Sequence, residues 1–183
     1  LSVLAFFGMF AGIILTVLGR EWVGILLGEG WEHAGRITMA FGPGIGLMII
    51  YSTHHWVHLS LAHPERLLRW SILNLVITVV MLLLTAPRGP IYVAAGYSVI
   101  TGALLFPALW YAGRPIKMSI ARLLKILYPY LLSAIITSFL LLICSELWET
   151  TRAMLQGLQQ ILRIAVVGVL GGICYTLLIA LFE

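Results

Sequence analysis

The sequence contains no aspartate, and its acidic residues are seven glutamates. Charged residues make up 10% of the 183 positions, whereas hydrophobic residues make up 61%. A soluble fold of this length leaves roughly 30% of its chain surface exposed to water, so it could not hide so much apolar surface. The scarcity of charge therefore excludes a soluble globular domain and indicates an integral membrane protein.

Cysteines and catalytic motifs are also scarce. Cys144 and Cys174 are the only cysteines, and both lie in apolar runs, so we expect free thiols and no disulfide framework. The segment GYSVI (96–100) lacks the closing glycine of a nucleophile elbow, and no phosphate-binding loop or dinucleotide fingerprint occurs. We therefore expect no enzyme activity and no cofactor. If the protein drives transport, the energy comes from a gradient or from another polypeptide.

Long apolar runs dominate the chain. Several reach the length of about 20 residues with which an α-helix crosses a bilayer, and they are too long and uniform for barrel strands of about ten residues. Backbone groups in hydrocarbon must be satisfied within the segment, which leaves helices. We predict an all-α transmembrane helix bundle, one domain over 1–183, with spans near 1–18, 37–57, 67–86, 90–112, 126–145 and 161–182.

The first run, 1–18, has no basic leading region and no Ala-x-Ala cleavage site, so it is not predicted to be a signal peptide. Because Leu1 opens directly inside an apolar run, we expect the sequence to be a piece of a longer protein that begins within a helix. The next stretch, 19–36, is predicted to be an outer loop in which Trp31 lies at the lipid headgroups.

Basic residues predict the orientation of the bundle. The loops after the second and fourth spans carry six basic residues against one acid, Glu65, whereas glutamates offset the basic residues on the opposite side. By the positive-inside rule the first set faces the cytoplasm. Within it, 116–127 is predicted to form an interfacial helix, and 149–163 a short helix on the outer side. The six residues are Arg66, Arg69, Arg114, Lys117, Arg122 and Lys125.

The segment THHWVHLSLAHPER contains four of the five histidines. His54 and His58 are four residues apart, so on a helix both imidazoles share a face and could clamp a metal. Membrane di-iron enzymes need several such boxes with carboxylates, and this chain has one box and no acid within the spans. We favour a polar cytoplasmic end of the second span, with the histidines, including His55 and His63, at the headgroups. A membrane enzyme using His54, His55 and His58 on a metal or haem remains the alternative.

The motif FGPGIG (41–46) interrupts the second span. Pro43 has no amide hydrogen and clashes with the preceding turn, while the flanking glycines loosen the helix. Discontinuous helices in transporters often mark a hinge near the midplane, so Gly42, Pro43 and Gly44 are hinge candidates. The alternative is a proline kink whose small residues allow close helix packing.

Three arginines, Arg36, Arg66 and Arg69, are candidates for binding an anionic substrate headgroup. The guanidinium fork suits phosphate because it donates two parallel hydrogen bonds. The alternative interpretation is topological: these arginines hold their loops on one side of the membrane.

Three stretches of the chain resemble the bacterial polysaccharide flippases. In REWVGILLGEGWEHAGRI (20–37), Gly28, Trp31 and Ala34 match a pattern in which one helix ends at a glycine and the next begins after a tryptophan. The later segment GPIYVAAGYSVITGALLFPALWYAGRPIKMS (89–119) is similar to a helix of that family with a small-residue face. These matches follow the family's order along nearly the whole chain.

The segment LSLAHPERLLRWSILNLVI (59–77) resembles the family's cytoplasmic turn through Ala62, Pro64, Glu65 and Arg69. His63 departs from the pattern, because a Gly-Arg pair is more usual at that place. The FGPGIG break and the histidine cluster are likewise not expected of the family.

The resemblance is to the Wzx-like O-antigen and exopolysaccharide flippases of the multidrug/oligosaccharidyl-lipid/polysaccharide exporter superfamily, which serve lipopolysaccharide and other polysaccharide biosynthesis. It implies two lobes of helices around a cavity, of which this chain is the C-terminal half or slightly less. It further implies translocation of an undecaprenyl-pyrophosphate-linked oligosaccharide across the bacterial inner membrane. The expected partners are that lipid, membrane lipids and the polysaccharide polymerase machinery, with no nucleic acid. A non-catalytic membrane subunit is a further alternative.

Overall fold

The computed structural model describes residues 1–28, 30–151 and 158–182, with side chains described for 1–28, 30–144 and 164–182. Within these ranges the regular structure is entirely helical, and six helices are long and apolar enough to cross a membrane. The predicted all-α, six-span fold class is thereby confirmed. The helices are α1 (Ser2–Leu27), α2 (Glu32–Tyr51), α3 (Thr53–Ser60), α4 (Pro64–Thr85), α5 (Pro90–Gly113), α6 (Ile120–Thr151) and α7 (Leu158–Phe182).

The connection between α1 and α2 is much shorter than the predicted outer loop over 19–36. Helix α1 continues to Leu27 and α2 begins at Glu32, so most of that loop is helical. The prediction was wrong because it took Arg20 and Glu21 as the end of the helix. Arginine and glutamate are good helix formers, and Glu21 is buried against the bundle.

The remaining connections are also tight. One residue, Ser52, separates α2 from α3, and a 3₁₀ turn over Ala86–Arg88 joins α4 to α5. The predicted interfacial helix over 116–127 is wrong, because α6 already begins at Ile120 and buries Leu123 and Leu127 in the core. The predicted outer helix over 149–163 lies outside the residues whose side chains are described.

Helix α1 forms the centre of the bundle. On one side it packs so closely on α2 that a Cβ atom added to Gly12 would lie 3.2 Å from the Cα of Gly46. On the other side it packs on α6 and α7, where the fully buried ring of Tyr175 lies against Phe6 and Phe10. Close approach of backbones at small residues is a common way for membrane helices to associate.

Helix α4 lies at the edge of this arrangement. It packs on α3 and α5, and Trp70 and Met81 are its only buried residues. Most of its remaining apolar side chains are exposed, as expected for a helix that borders lipid. Short connections make α3, the start of α4 and the end of α5 neighbours at one end of the bundle.

Candidate functional site

A recess of about 750 Å³ opens at that end of the bundle, where the α3–α4 connection meets the end of α5. Three guanidinium groups and one carboxylate line it, so its formal charge is positive. The lining residues are His63, Glu65, Arg66, Arg69, Tyr111, Arg114 and Pro115.

Aromatic residues hold two of the three guanidinium groups in place. Arg66 donates from Nη2 to the backbone carbonyl oxygen of Tyr111 at 2.7 Å, and its guanidinium carbon lies 4.5 Å from the centroid of the Tyr111 ring. The guanidinium carbon of Arg114 lies 5.0 Å from the ring centroid of Trp110. Cation–π contacts of this kind orient a guanidinium while leaving its charge in place. Both arginines are therefore positioned without being neutralised.

The single carboxylate of the recess does not pair with an arginine. His63 donates from Nδ1 to Oε1 of Glu65 at 3.0 Å. Glu65 and Arg69 are four residues apart on α4, which is the spacing and order that favours a helical ion pair. In the part of the chain whose side chains are described, however, Glu65 is joined to the His63 imidazole and to no guanidinium group. The recess thus keeps its positive charge.

The structure brings together two of the three arginines predicted to bind a headgroup. Arg66 and Arg69 line the recess, whereas Arg36 is exposed in the first turns of α2, with its Nη2 3.4 Å from Nδ1 of His33. Arg36 lies roughly 20 Å along the helix from Tyr51, at a rise of about 1.5 Å per residue, and so at the other end of the bundle. Arg36 therefore cannot act in the same site as Arg66 and Arg69.

Sequence reasoning counted Arg114 only as a basic loop residue and missed it as a site residue. Its signal was its place on the same predicted side as Arg66 and Arg69. Sequence spacing could not show the approach, because 45 residues separate Arg66 from the Tyr111 carbonyl that it contacts.

The histidine cluster lies behind the recess, and two of its members are buried. His54 and His58 are each 1% exposed, so their predicted placement at the lipid headgroups is wrong; His55 is exposed. Helix α3 turns this face inward: the His54 ring centroid lies 6.2 Å from that of Trp70, and the His58 centroid 5.6 Å from that of Tyr111.

The two buried histidines have some features of a metal site. The Nδ1 of His54 donates to the carbonyl oxygen of Tyr51, which is how ligating histidines are commonly oriented. The Nε2 of His54 and both ring nitrogens of His58 have no hydrogen-bond partner among the described residues. A protein metal site needs three or four ligands, and the described part of the chain holds no suitable group of three. The neighbouring Arg66 also disfavours a cation.

The hinge candidates Gly42, Pro43 and Gly44 lie in a continuous α2. Each glycine faces a neighbouring backbone: an added Cβ would lie 2.8 Å from the Cα of Thr16 at Gly42, and 2.8 Å from the Cα of Ser98 at Gly44. The structure therefore shows the close packing that was the alternative interpretation. A hinge motion at Pro43 stays a prediction.

Ser98 of α5 bridges the backbone of α2 beside Pro43. Its Oγ accepts from the amide of Gly44 at 3.1 Å and donates to the carbonyl oxygen of Ala40 at 2.8 Å. In a regular α-helix this amide and this carbonyl bond each other directly. The Ser98 hydroxyl bonds both groups of that pair and so joins α5 to the backbone of α2 next to Pro43.

Comparison with known proteins adds no relative to this description. No family model, no curated protein and no solved structure matches the chain.

Proposed function

We propose that the chain belongs to a transporter that moves a lipid-linked oligosaccharide across the bacterial inner membrane, with the phosphate-bearing headgroup bound in the recess. The observation that carries this proposal is the convergence of Arg66, Arg69 and Arg114 at one end of a membrane bundle without matching carboxylates.

The physical problem of such a transporter is the headgroup. A charged group is costly to place in hydrocarbon, and desolvation must be offset by charged or hydrogen-bonding partners. Guanidinium forks meet that need for phosphate oxygens. An undecaprenyl-pyrophosphate carrier supplies such oxygens, and the pattern at Gly28, Trp31 and Ala34 supports this class of substrate by resemblance.

A metal-dependent enzyme receives less support from the geometry. It would use His54 and His58, which lack a third ligand among the described residues, and it would leave the charge of the recess without a role. A non-catalytic subunit would share the bundle but would not move the lipid.

The test uses the full-length protein in phosphatidylcholine vesicles that carry a fluorescent polyprenyl-diphosphate sugar. Dithionite added outside reports the fraction of label that has crossed. We expect crossing with the wild-type protein and its loss in the triple variant R66Q/R69Q/R114Q. Arg122→Gln, at the same end of the bundle but outside the recess, is the matched control and should resemble wild type.

Two results would overturn the proposal. Equal crossing in the wild type and the triple variant would remove the recess from the mechanism. No crossing with wild-type protein, under conditions in which it binds the lipid, would favour a non-catalytic subunit.

A further inference from the structure

We infer that His63 is a positioning residue of the recess: by holding the carboxylate of Glu65, it keeps the guanidinium groups available to a phosphate-bearing headgroup. This inference rests on the proposed function of the recess and concerns how the recess keeps its charge. Glu65 would otherwise compete with the ligand for these guanidinium groups.

The competition follows from the geometry of α4. Glu65 and Arg69 are one turn apart, so the carboxylate has a natural partner in the recess. The structure instead joins it to the Nδ1 of His63 at 3.0 Å. The side chains of His63 and Glu65 are 42% and 55% exposed, so packing does not hold the carboxylate. It is held by a hydrogen bond from the backbone of Glu65 itself and by the His63 imidazole.

The backbone fixes where the His63 ring can lie. Ala62, just before it, has a positive φ of 55°, which reverses the chain between α3 and α4. The amide of His63 donates to the carbonyl oxygen of His58 at 3.0 Å, and its own carbonyl accepts from the amide of Arg66 at 3.2 Å. Pro64 restricts the residue before it as well. Hydrogen bonds of its amide and of its carbonyl therefore fix the backbone of His63, immediately before the first turn of α4.

The expected consequence is electrostatic. Without the imidazole, the Glu65 carboxylate keeps only the hydrogen bond from its own backbone. A turn toward Arg69 then costs one hydrogen bond less, and there the carboxylate would occupy the fork that a phosphate needs. The ligand would then have to displace an ion pair. Exposed pairs of this type are weak, so the expected shift in affinity is severalfold.

The experiment measures binding to full-length protein in a neutral detergent, with inorganic diphosphate as one probe. Phosphatidylcholine nanodiscs with and without polyprenyl diphosphate are the second probe, which separates a lipid headgroup from a free anion. We expect Glu65→Gln to lower the dissociation constant and His63→Ala to raise it, each by about two- to fivefold. His55→Ala, an exposed histidine outside the recess, is the matched control and should have no effect.

The double variant H63A/E65Q is the decisive case. If His63 acts only by holding the carboxylate, the double variant should bind as tightly as Glu65→Gln alone, because no competitor remains to be held. If His63→Ala weakens binding equally in the Glu65→Gln background, His63 contacts the ligand directly and the inference is overturned.

The other outcomes separate this inference from the proposed function. Loss of binding in R66Q/R69Q/R114Q, together with no effect of His63→Ala or Glu65→Gln, overturns the role of His63 and leaves the recess as the binding site. No binding of either probe by wild-type protein overturns the proposed site itself. Binding of free diphosphate but not of the lipid, with the expected variant pattern, supports the role of His63 and overturns the lipid as ligand.

Discussion

The α1–α2 crossing and the arginine-lined recess are built in opposite ways. At the crossing, glycines such as Gly12, Gly42 and Gly46 bring two backbones into direct contact and leave no space for a side chain. At the recess, long side chains project into open space, and aromatic rings hold two of the arginines in place. The crossing depends on the absence of side chains at its glycines. The recess depends on arginine charges that no carboxylate balances.

The difference predicts two kinds of sensitivity. An added carbon at the crossing must push the helices apart, because the atoms in its way belong to a backbone. A changed charge at an exposed residue of the recess such as Arg69 alters what can bind there but little of what holds the bundle together. Stability and binding should therefore respond to different substitutions.

The largest expected effect is at the centre of the crossing. Leu in place of Gly42 should abolish the folded protein, and Gly42→Ala should destabilise it by about 1–3 kcal/mol, the usual cost of overpacking. The reason is that a Cβ there would lie 2.5 Å from the amide nitrogen of Thr16. Thermal unfolding in detergent measures the change.

Gly24→Ala is the control for this substitution. Gly24 lies in α1 with no atom within 4 Å of an added Cβ, so alanine should be neutral or slightly stabilising through its helix propensity. Equal destabilisation at Gly24 and Gly42 would contradict close packing of α1 on α2 at Gly42.

The next largest loss of stability should come from truncating His54, a buried histidine. His54→Ala should destabilise the protein by about 2 kcal/mol, within the usual range for truncating a buried side chain, because the ring packs on Tyr51 and Trp70. We expect equal metal content in purified wild type and H54A/H58A. A stoichiometric metal lost only from the double variant would revive the enzyme alternative.

A smaller effect is expected where α5 supports α2. Ser98→Ala removes the hydroxyl that bridges Gly44 and Ala40 and should cost about 1 kcal/mol. Hydrogen exchange of the Gly44 amide should also become faster. Ser98→Cys keeps a weaker donor and acceptor, so its stability and exchange rate should lie between those of wild type and Ser98→Ala. Unchanged exchange in Ser98→Ala would mean that α2 does not need this bridge.

The smallest effect on stability should come from the recess. Arg69→Gln, at an exposed residue of the recess, should unfold within about 0.5 kcal/mol of wild type, as surface substitutions usually do, while weakening diphosphate binding. A stability loss as large as that of Gly42→Ala would show that the recess is part of the structural core, and the contrast between the two regions would fail.

Much of the fold could be predicted because hydropathy and helix length are local properties. The six apolar runs are all helical, and the small residues of FGPGIG do pack closely. The end of α1 could not be predicted from charge, because Arg20 and Glu21 mark polarity and not the end of a helix. The burial of His54 and His58 could not be predicted either, since it depends on which neighbours α3 meets.

The sequence by itself determined that this protein is a helical membrane bundle, because so apolar a chain must satisfy its backbone within helices. It also placed Arg66, Arg69 and Arg114 on one predicted side and Arg36 on the other. Only the tertiary structure decided that the first three form a site, because the end of α5 brings Arg114 beside Arg66 and Arg69. That choice depends on helix packing across the bundle, which no local pattern of residues encodes.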